Sequence, residues 1–173
     1  MRTDQATIRP GRSADAETLA NLIVELAVYE KLEQFAQATP EDLRRHLFGP
    51  QPYAETLVAE VNGESVGFAL YFPTFSTFRG QPGLYLEDLF VRPTHRGRGI
   101  GKALLATVAR VAVARGFGRL EWSVLDWNTP ALGFYRSLGA EPMDEWTIYR
   151  VADASLERLA ARAPAIADSG FDR

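Results

Sequence analysis

The sequence predicts an α+β (mixed α/β) domain: a central, twisted, mostly antiparallel sheet flanked by helices. Three observations carry this. Apolar residues follow helical spacing in the first quarter of the chain, as in Leu19, Leu22, Ile23, Leu26 and Ala27. The period then switches to β-branched and aromatic runs such as "YAETLVAEV" and "SVGFALYF". A strand–helix–strand crossover follows, which antiparallel hairpins alone do not provide. A chain of 173 residues with 46% apolar and 24% charged residues suits one domain with a sizeable core. Residues 1–173 therefore read as a single domain, with about 155–173 a C-terminal helix or tail.

Each element has a local reason. Ala6 to Arg9 reads as a short strand. Ser13 offers an N-cap, with Asp15 and Glu17 in the first turn favouring the positive helix end. "TPED" at Thr39 to Asp42 supplies a cap, a proline at N1 and an acid at N3 for a second short helix. Asn62-Gly63-Glu64 is a hairpin signal between the first two long strands. Pro73 to Gly83 reads as a loop leading to "LYLEDLFV", a third strand. The next helix carries Ile100, Leu104, Leu105, Val108, Val111 and Ala112 on one face and stops at Gly116. "RLEWSVLDW" is a further strand. Asn128 or Thr129 caps the helix "NTPALGFYRSLG", with Pro130 at N1 and Gly139 past its end. "EWTIYRV" is expected to close the sheet, followed by the helical tail "DASLERLAARA".

Composition excludes several functions. A net charge of −3 and a pI near 5.5 argue against general nucleic-acid binding. There is no cysteine, so disulfides, thiol nucleophiles and thiolate metal sites are absent. His46 and His95 lie far apart, and no metal is expected. No stretch approaches 18 apolar residues and the start lacks an apolar signal-like core, so a cytoplasmic protein away from membranes is expected.

The strongest chemical signal is "HRGRGIGKALL", His95 to Leu105, where bare backbone and cations open an apolar helix. A helix start presents unpaired N–H groups with the helix dipole behind them, which suits an anion. Spacing narrows the choice. A P-loop needs glycine where Arg96 stands and Ser or Thr where Ala103 stands. The dinucleotide fingerprint needs glycine at Lys102 or Leu104. What remains is R-x-x-G-x-G, from Arg96 through Gly99 to Gly101; a plain helix entry is the alternative.

This stretch resembles the acetyl-CoA diphosphate loop of the GNAT acetyltransferase superfamily. The pieces "ELAVYEKLEQ", "YLEDLFVRPTHRGRGIGKALL" and "WNTPALGFYRSLGA" resemble most the diamine (spermidine/spermine) N-acetyltransferases, in order and spacing. The resemblance implies a GNAT-like fold with a parallel, splayed strand pair at the cofactor site. It implies an acetyl-CoA-dependent N-acetyltransferase, with the amides of Arg96, Gly97, Arg98, Gly99, Ile100, Gly101 and Lys102 on the diphosphate. The pantetheine arm would pair with the backbone of Leu89, Phe90 and Val91, and a strand amide near Leu89 would hold the thioester oxygen. Asn128 would contact the cofactor arm as well as cap its helix. The Tyr135 hydroxyl would lie near the sulfur as the acid that reprotonates the thiolate, although periodicity alone reads it, like Phe134, as a core aromatic.

With no cysteine for an acyl-enzyme, direct attack by the amine in a ternary complex is the simpler route. A primary amine with a lysine-like pKa near 10.4 must first lose a proton, at a cost of roughly 4–5 kcal/mol at pH 7. Glu87 and Asp88 interrupt an apolar strand, and adjacent strand residues face opposite sides. Glu87 is expected to act as the base through water, the alternative being two acids at an exposed strand end. Glu30 and Glu33 lie three apart, on one face near the end of the first helix. With Tyr29, Glu87, Asp88 and Trp146 they would make an acidic, aromatic funnel for a cationic acceptor, the alternative being a solvated helix end. Polyamines, diamines and thialysine-like amino acids fit that funnel. Acetylation of a protein lysine or N-terminus, or acyl-CoA binding without catalysis, is the competing reading. The family commonly forms homodimers, for which Phe72 to Phe78 and "EWTIYRV" are candidate contact segments.

Overall fold

The computed structural model describes residues 6–164. They divide into two compact units, the first ending at Leu125 and the second beginning at Asp126.

The first unit holds a five-stranded sheet in the order β1-β2-β3-β4-β5. The strands are β1 (Thr7–Pro10), β2 (Glu55–Val61), β3 (Glu64–Ser76), β4 (Gln81–Val91) and β5 (Leu120–Trp122). Neighbours are antiparallel except β4 and β5, which run parallel. The helices are α1 (Ala16–Glu30), α2 (Pro40–Phe48) and α3 (Ile100–Ala114). Leu19, Leu22 and Leu26 of α1 and Leu43 of α2 pack on the sheet row Val58, Phe68 and Phe90. Leu104, Leu105 and Val108 of α3 are buried apart from that cluster, and α3 packs against β1 to β4.

Local chemistry sets the boundaries. Asn62 and Gly63 both take positive φ (52° and 84°), as the tightest hairpin turn between twisted strands requires. Thr39 and Asp42 form the expected capping box: the Asp42 N–H donates to Thr39 Oγ1 at 3.2 Å, and the Thr39 N–H to Asp42 Oδ2 at 3.0 Å. Ser13 does not cap α1. It lies in a 3-10 turn, and Asp15 instead accepts from the Arg12 N–H at 2.7 Å. The same carboxylate pairs with Arg9 at 2.7 Å, and Arg9 reaches Glu60 at 2.6 Å, tying β1, β2 and the start of α1 together.

Three expectations are corrected. Pro73 to Gly83 is not a loop: β3 runs to Ser76 and β4 begins at Gln81. Pro73 lies beyond the end of β2 and Pro82 before the pairing with β5, so each missing N–H can face an open edge. β5 keeps only three residues of "RLEWSVLDW". "EWTIYRV" forms no strand; Trp146, Ile148 and Tyr149 are exposed. Strand preference is largely the gain from packing a pleated face, and alternation with no face to bury supplies none.

The second unit holds α4 (Thr129–Ser137) and α5 (Asp153–Ala160). Asn128 caps α4, its Oδ1 accepting from the Ala131 N–H at 3.3 Å; Pro130 is thus the second helical residue rather than the first, and Gly139 stands just past the end as expected.

Candidate active site

Two irregularities shape the C-terminal half of β4. Leu70 lies opposite Asp88 while Tyr71 lies opposite Leu86, so Glu87 has no partner residue on β3. Such a bulge increases local twist and redirects the side chains around it. The parallel pairing with β5 also ends at Leu86, opposite Trp122. Beyond it Asp88, Leu89, Phe90 and Val91 pair with β3 and, among the described residues, have no strand neighbour on the β5 side. A strand with one paired edge offers its other backbone groups to an extended, amide-bearing ligand.

The turn that follows leads into α3. Arg92 anchors it, bonding Glu25 at 2.9 Å, Glu64 at 2.7 Å and the Ser65 carbonyl at 3.1 Å. A 3-10 turn over Pro93–His95 then brings the chain to Gly97 and Gly99, with φ of 75° and 79°. A side chain would strain the backbone there whatever the space around it. Gly99 is the residue before α3, and it has no side chain with which to cap the helix. The first helical bond of α3 runs from the Ala103 N–H to the Gly99 carbonyl at 2.9 Å. The N–H groups of Ile100, Gly101 and Lys102 precede it, at the positive end of a dipole worth about half a charge. Buried Ile100 pins this turn, while Arg98 and Lys102 remain exposed. An anion fits there.

Arg96 departs from its expected place in that cradle. Its N–H donates to the Pro93 carbonyl at 3.2 Å, so the donor set narrows towards the glycines and the first turn of α3. Its side chain turns back: Nε donates to the Val91 carbonyl at 2.8 Å, and the guanidinium carbon lies 4.4 Å from the Tyr29 ring centre and 5.6 Å from that of Phe90.

The acids separate by environment. Glu87, on the bulge, is exposed. The half-buried Asp88 has its carboxyl pushed up to about 7, first by burial and then by the charges of Glu87 and Glu30. Burial also raises Glu30, on the last turn of α1. Glu33 does not share that helix face. The helix ends at Glu30, Lys31 turns into the left-handed region at φ 61°, and Glu33 opens a separate exposed 3-10 turn.

The structure thus brings Tyr29, Glu30, Asp88, Phe90 and Arg96 into one neighbourhood and leaves Glu33 out of the α1 face. Sequence reasoning missed Arg92 as an anchor and Asp88 as the perturbed acid. The apolar flanks of Glu87-Asp88 were the available signal; the bulge that separates the two was not legible.

In the second unit Asn128 is buried, and Tyr135 lies half-buried on α4 with its ring 5.2 Å from Phe134. Trp146 is 70% exposed, next to a turn at 144–145.

A cavity of about 370 Å³ lies elsewhere in the first unit, between β2 and the C-terminal half of α3, lined by Thr56, Tyr71, Thr107 and Val111 among others. None of the expected site residues lines it. Among the described residues no helix is long and apolar enough to cross a membrane.

The chain is similar to proteins already known. A thialysine N-epsilon-acetyltransferase from Bos taurus is 38% identical over 166 residues, covering 90% of this chain and 97% of the relative. An L-ornithine N5-acetyltransferase from Arabidopsis thaliana is 40% identical over 119 residues, covering 69% of this chain and 49% of the relative. Among solved structures, an integron cassette protein from the mobile metagenome of V. cholerae superposes with a TM-score of 0.76 at 28% identity, covering 90% of this chain and 97% of its own. The profile of the acetyltransferase (GNAT) family matches residues 21–140, a span that contains the one-sided end of β4, the uncapped start of α3 and Tyr135. The chain belongs to that family, has its mixed α/β fold with the parallel β4–β5 pair, and is an N-acetyltransferase.

Proposed function

We propose that the chain transfers the acetyl group of acetyl-CoA to the primary amine of a small cationic acceptor, a polyamine, a diamine or a thialysine-like amino acid. One observation carries this reading: the one-sided end of β4 runs directly, within nine residues, into a helix start that has no capping side chain. The first suits an extended amide arm and the second its diphosphate. Members of the family use acetyl-CoA as co-substrate, and the relatives' names point to amino groups on small molecules.

In this reading the amides of Gly97 to Lys102 and the charges of Arg98 and Lys102 hold the diphosphate. The backbone of Leu89, Phe90 and Val91 aligns the arm, and a strand amide near Leu89 stabilises the thioester oxygen as it gains charge. The amine nitrogen attacks the carbonyl carbon directly in a ternary complex, its proton leaving through water to Glu87. The C–S bond then breaks, and Tyr135 protonates the departing thiolate. Asp88, Glu30 and Glu33, with the rings of Tyr29 and Trp146, attract the cationic acceptor. Asn128 contacts the cofactor arm.

We also read the chain as a cytoplasmic homodimer. Phe75, Phe78, Ile148 and Tyr149 are between 62% and 96% exposed, a load of apolar surface that a second copy would cover. A monomer mass in sedimentation at micromolar concentration contradicts the dimer.

The test of activity is thiol release from acetyl-CoA, followed with a disulfide reagent against thialysine, ornithine, spermidine and a lysine peptide. Release with the small amines is expected. Release with the peptide alone would transfer the activity to proteins, and no release with any amine would leave a binding protein.

A further inference from the structure

Tyr29 lies in the last turn of α1, one residue before Glu30, and its ring faces a residue of the β4–α3 loop. The Arg96 guanidinium lies 4.4 Å from the Tyr29 ring centre and 5.6 Å from that of Phe90, while its Nε donates to the Val91 carbonyl at 2.8 Å. Three elements therefore meet on one cation: the last turn of α1, the last residues of β4 and the start of the glycine loop. Gly97 and Gly99 are both in left-handed backbone, and Gly99 brings no capping side chain to the start of α3. Arg96 is the residue immediately before that permissive stretch, and its own N–H is held by the Pro93 carbonyl at 3.2 Å.

We propose that Tyr29 is a positioning residue for the coenzyme loop: its ring clamps the Arg96 guanidinium, and the clamp holds the amides of Gly97 to Lys102 in the orientation that receives a diphosphate. This rests on the coenzyme reading of that loop. Tyr29 then serves the cofactor side of the site from the acceptor helix. A flat guanidinium stacked on an aromatic face needs the ring but not the phenol hydroxyl, and it needs arginine rather than a point-charge cation. A loop that must be ordered by the ligand itself binds more weakly than one ordered beforehand.

The test is a double-mutant cycle read by calorimetric titration with CoA, which binds without turnover. Tyr29→Leu is expected to weaken CoA binding about three- to tenfold, and Tyr29→Phe to leave it within about twofold of wild type. Arg96→Met is expected to weaken it at least as much. Adding Tyr29→Leu to Arg96→Met is expected to change nothing further, because the ring has lost its partner. If Tyr29→Leu does not fold, Tyr29→Met and Arg96→Lys complete the same cycle. Wild-type affinity in Tyr29→Leu, equal losses in Tyr29→Phe and Tyr29→Leu, or multiplicative effects in the double variant would each overturn the clamp while leaving the coenzyme reading intact. Absence of CoA binding by the wild type would overturn both.

Discussion

Asp88 shows at the scale of one residue what the sheet imposes on its side chains. A carboxyl raised to about 7 binds its proton more tightly folded than unfolded. Its contribution to stability is therefore full below the ordinary carboxylate range and is lost as pH rises from about 4 to about 7, at a cost on the order of 3–4 kcal/mol. Asp88→Asn, which never ionises, is expected to exceed wild type in urea midpoint at pH 8 and to lose most of that advantage at pH 4. Equal gains at both pH values would assign the effect to packing. Glu87 is exposed on the bulge, accessible to water and to an incoming amine. Glu87→Gln is expected to cut turnover and move the rate profile to higher pH, where more of the acceptor is already neutral; an unmoved profile would remove its role as base. Tyr135→Phe is expected to lower kcat tenfold or more with CoA affinity within about twofold, and unchanged kcat would remove the acid.

Elements decide how these residues are presented, and α3 is the clearest case. Ser, Thr, Asp and Asn suit the position before a helix because their side chains accept from the first turn; α3 has Gly99 there. A serine there would compete with the ligand, and any side chain would resist the 79° φ. Gly99→Ala is expected to cost about 1 kcal/mol in a urea melt and to weaken CoA binding by tenfold or more. A stability loss with unchanged affinity would separate the loop from the ligand. The loop was legible in the sequence because glycine spacing is a local signal. The bulge at Glu87 was not, since it exists only in the register between β3 and β4. Glu30 and Glu33 looked like one helical face because no glycine or proline separates them, yet Lys31 takes the left-handed turn that ends α1.

Across the whole molecule, the first unit was read nearly element by element, because its faces are covered: Phe68 and Leu22 are fully buried, and apolar periodicity reports burial. "EWTIYRV" carries the same alternation with its large side chains exposed, and forms no strand. Pattern alone does not distinguish a strand that has found its surface from one that has not. The prolines at 73 and 82 misled in the other direction, because an open edge tolerates what an interior strand excludes.

The central claim is that peptide N–H groups at the start of α3 receive the diphosphate of coenzyme A, and backbone amide NMR during a CoA titration tests it most directly. The amide signals of Gly99, Ile100, Gly101 and Lys102 are expected to shift together and saturate at one CoA per chain. Saturable binding that leaves those four signals in place, or no binding at all, would contradict the account.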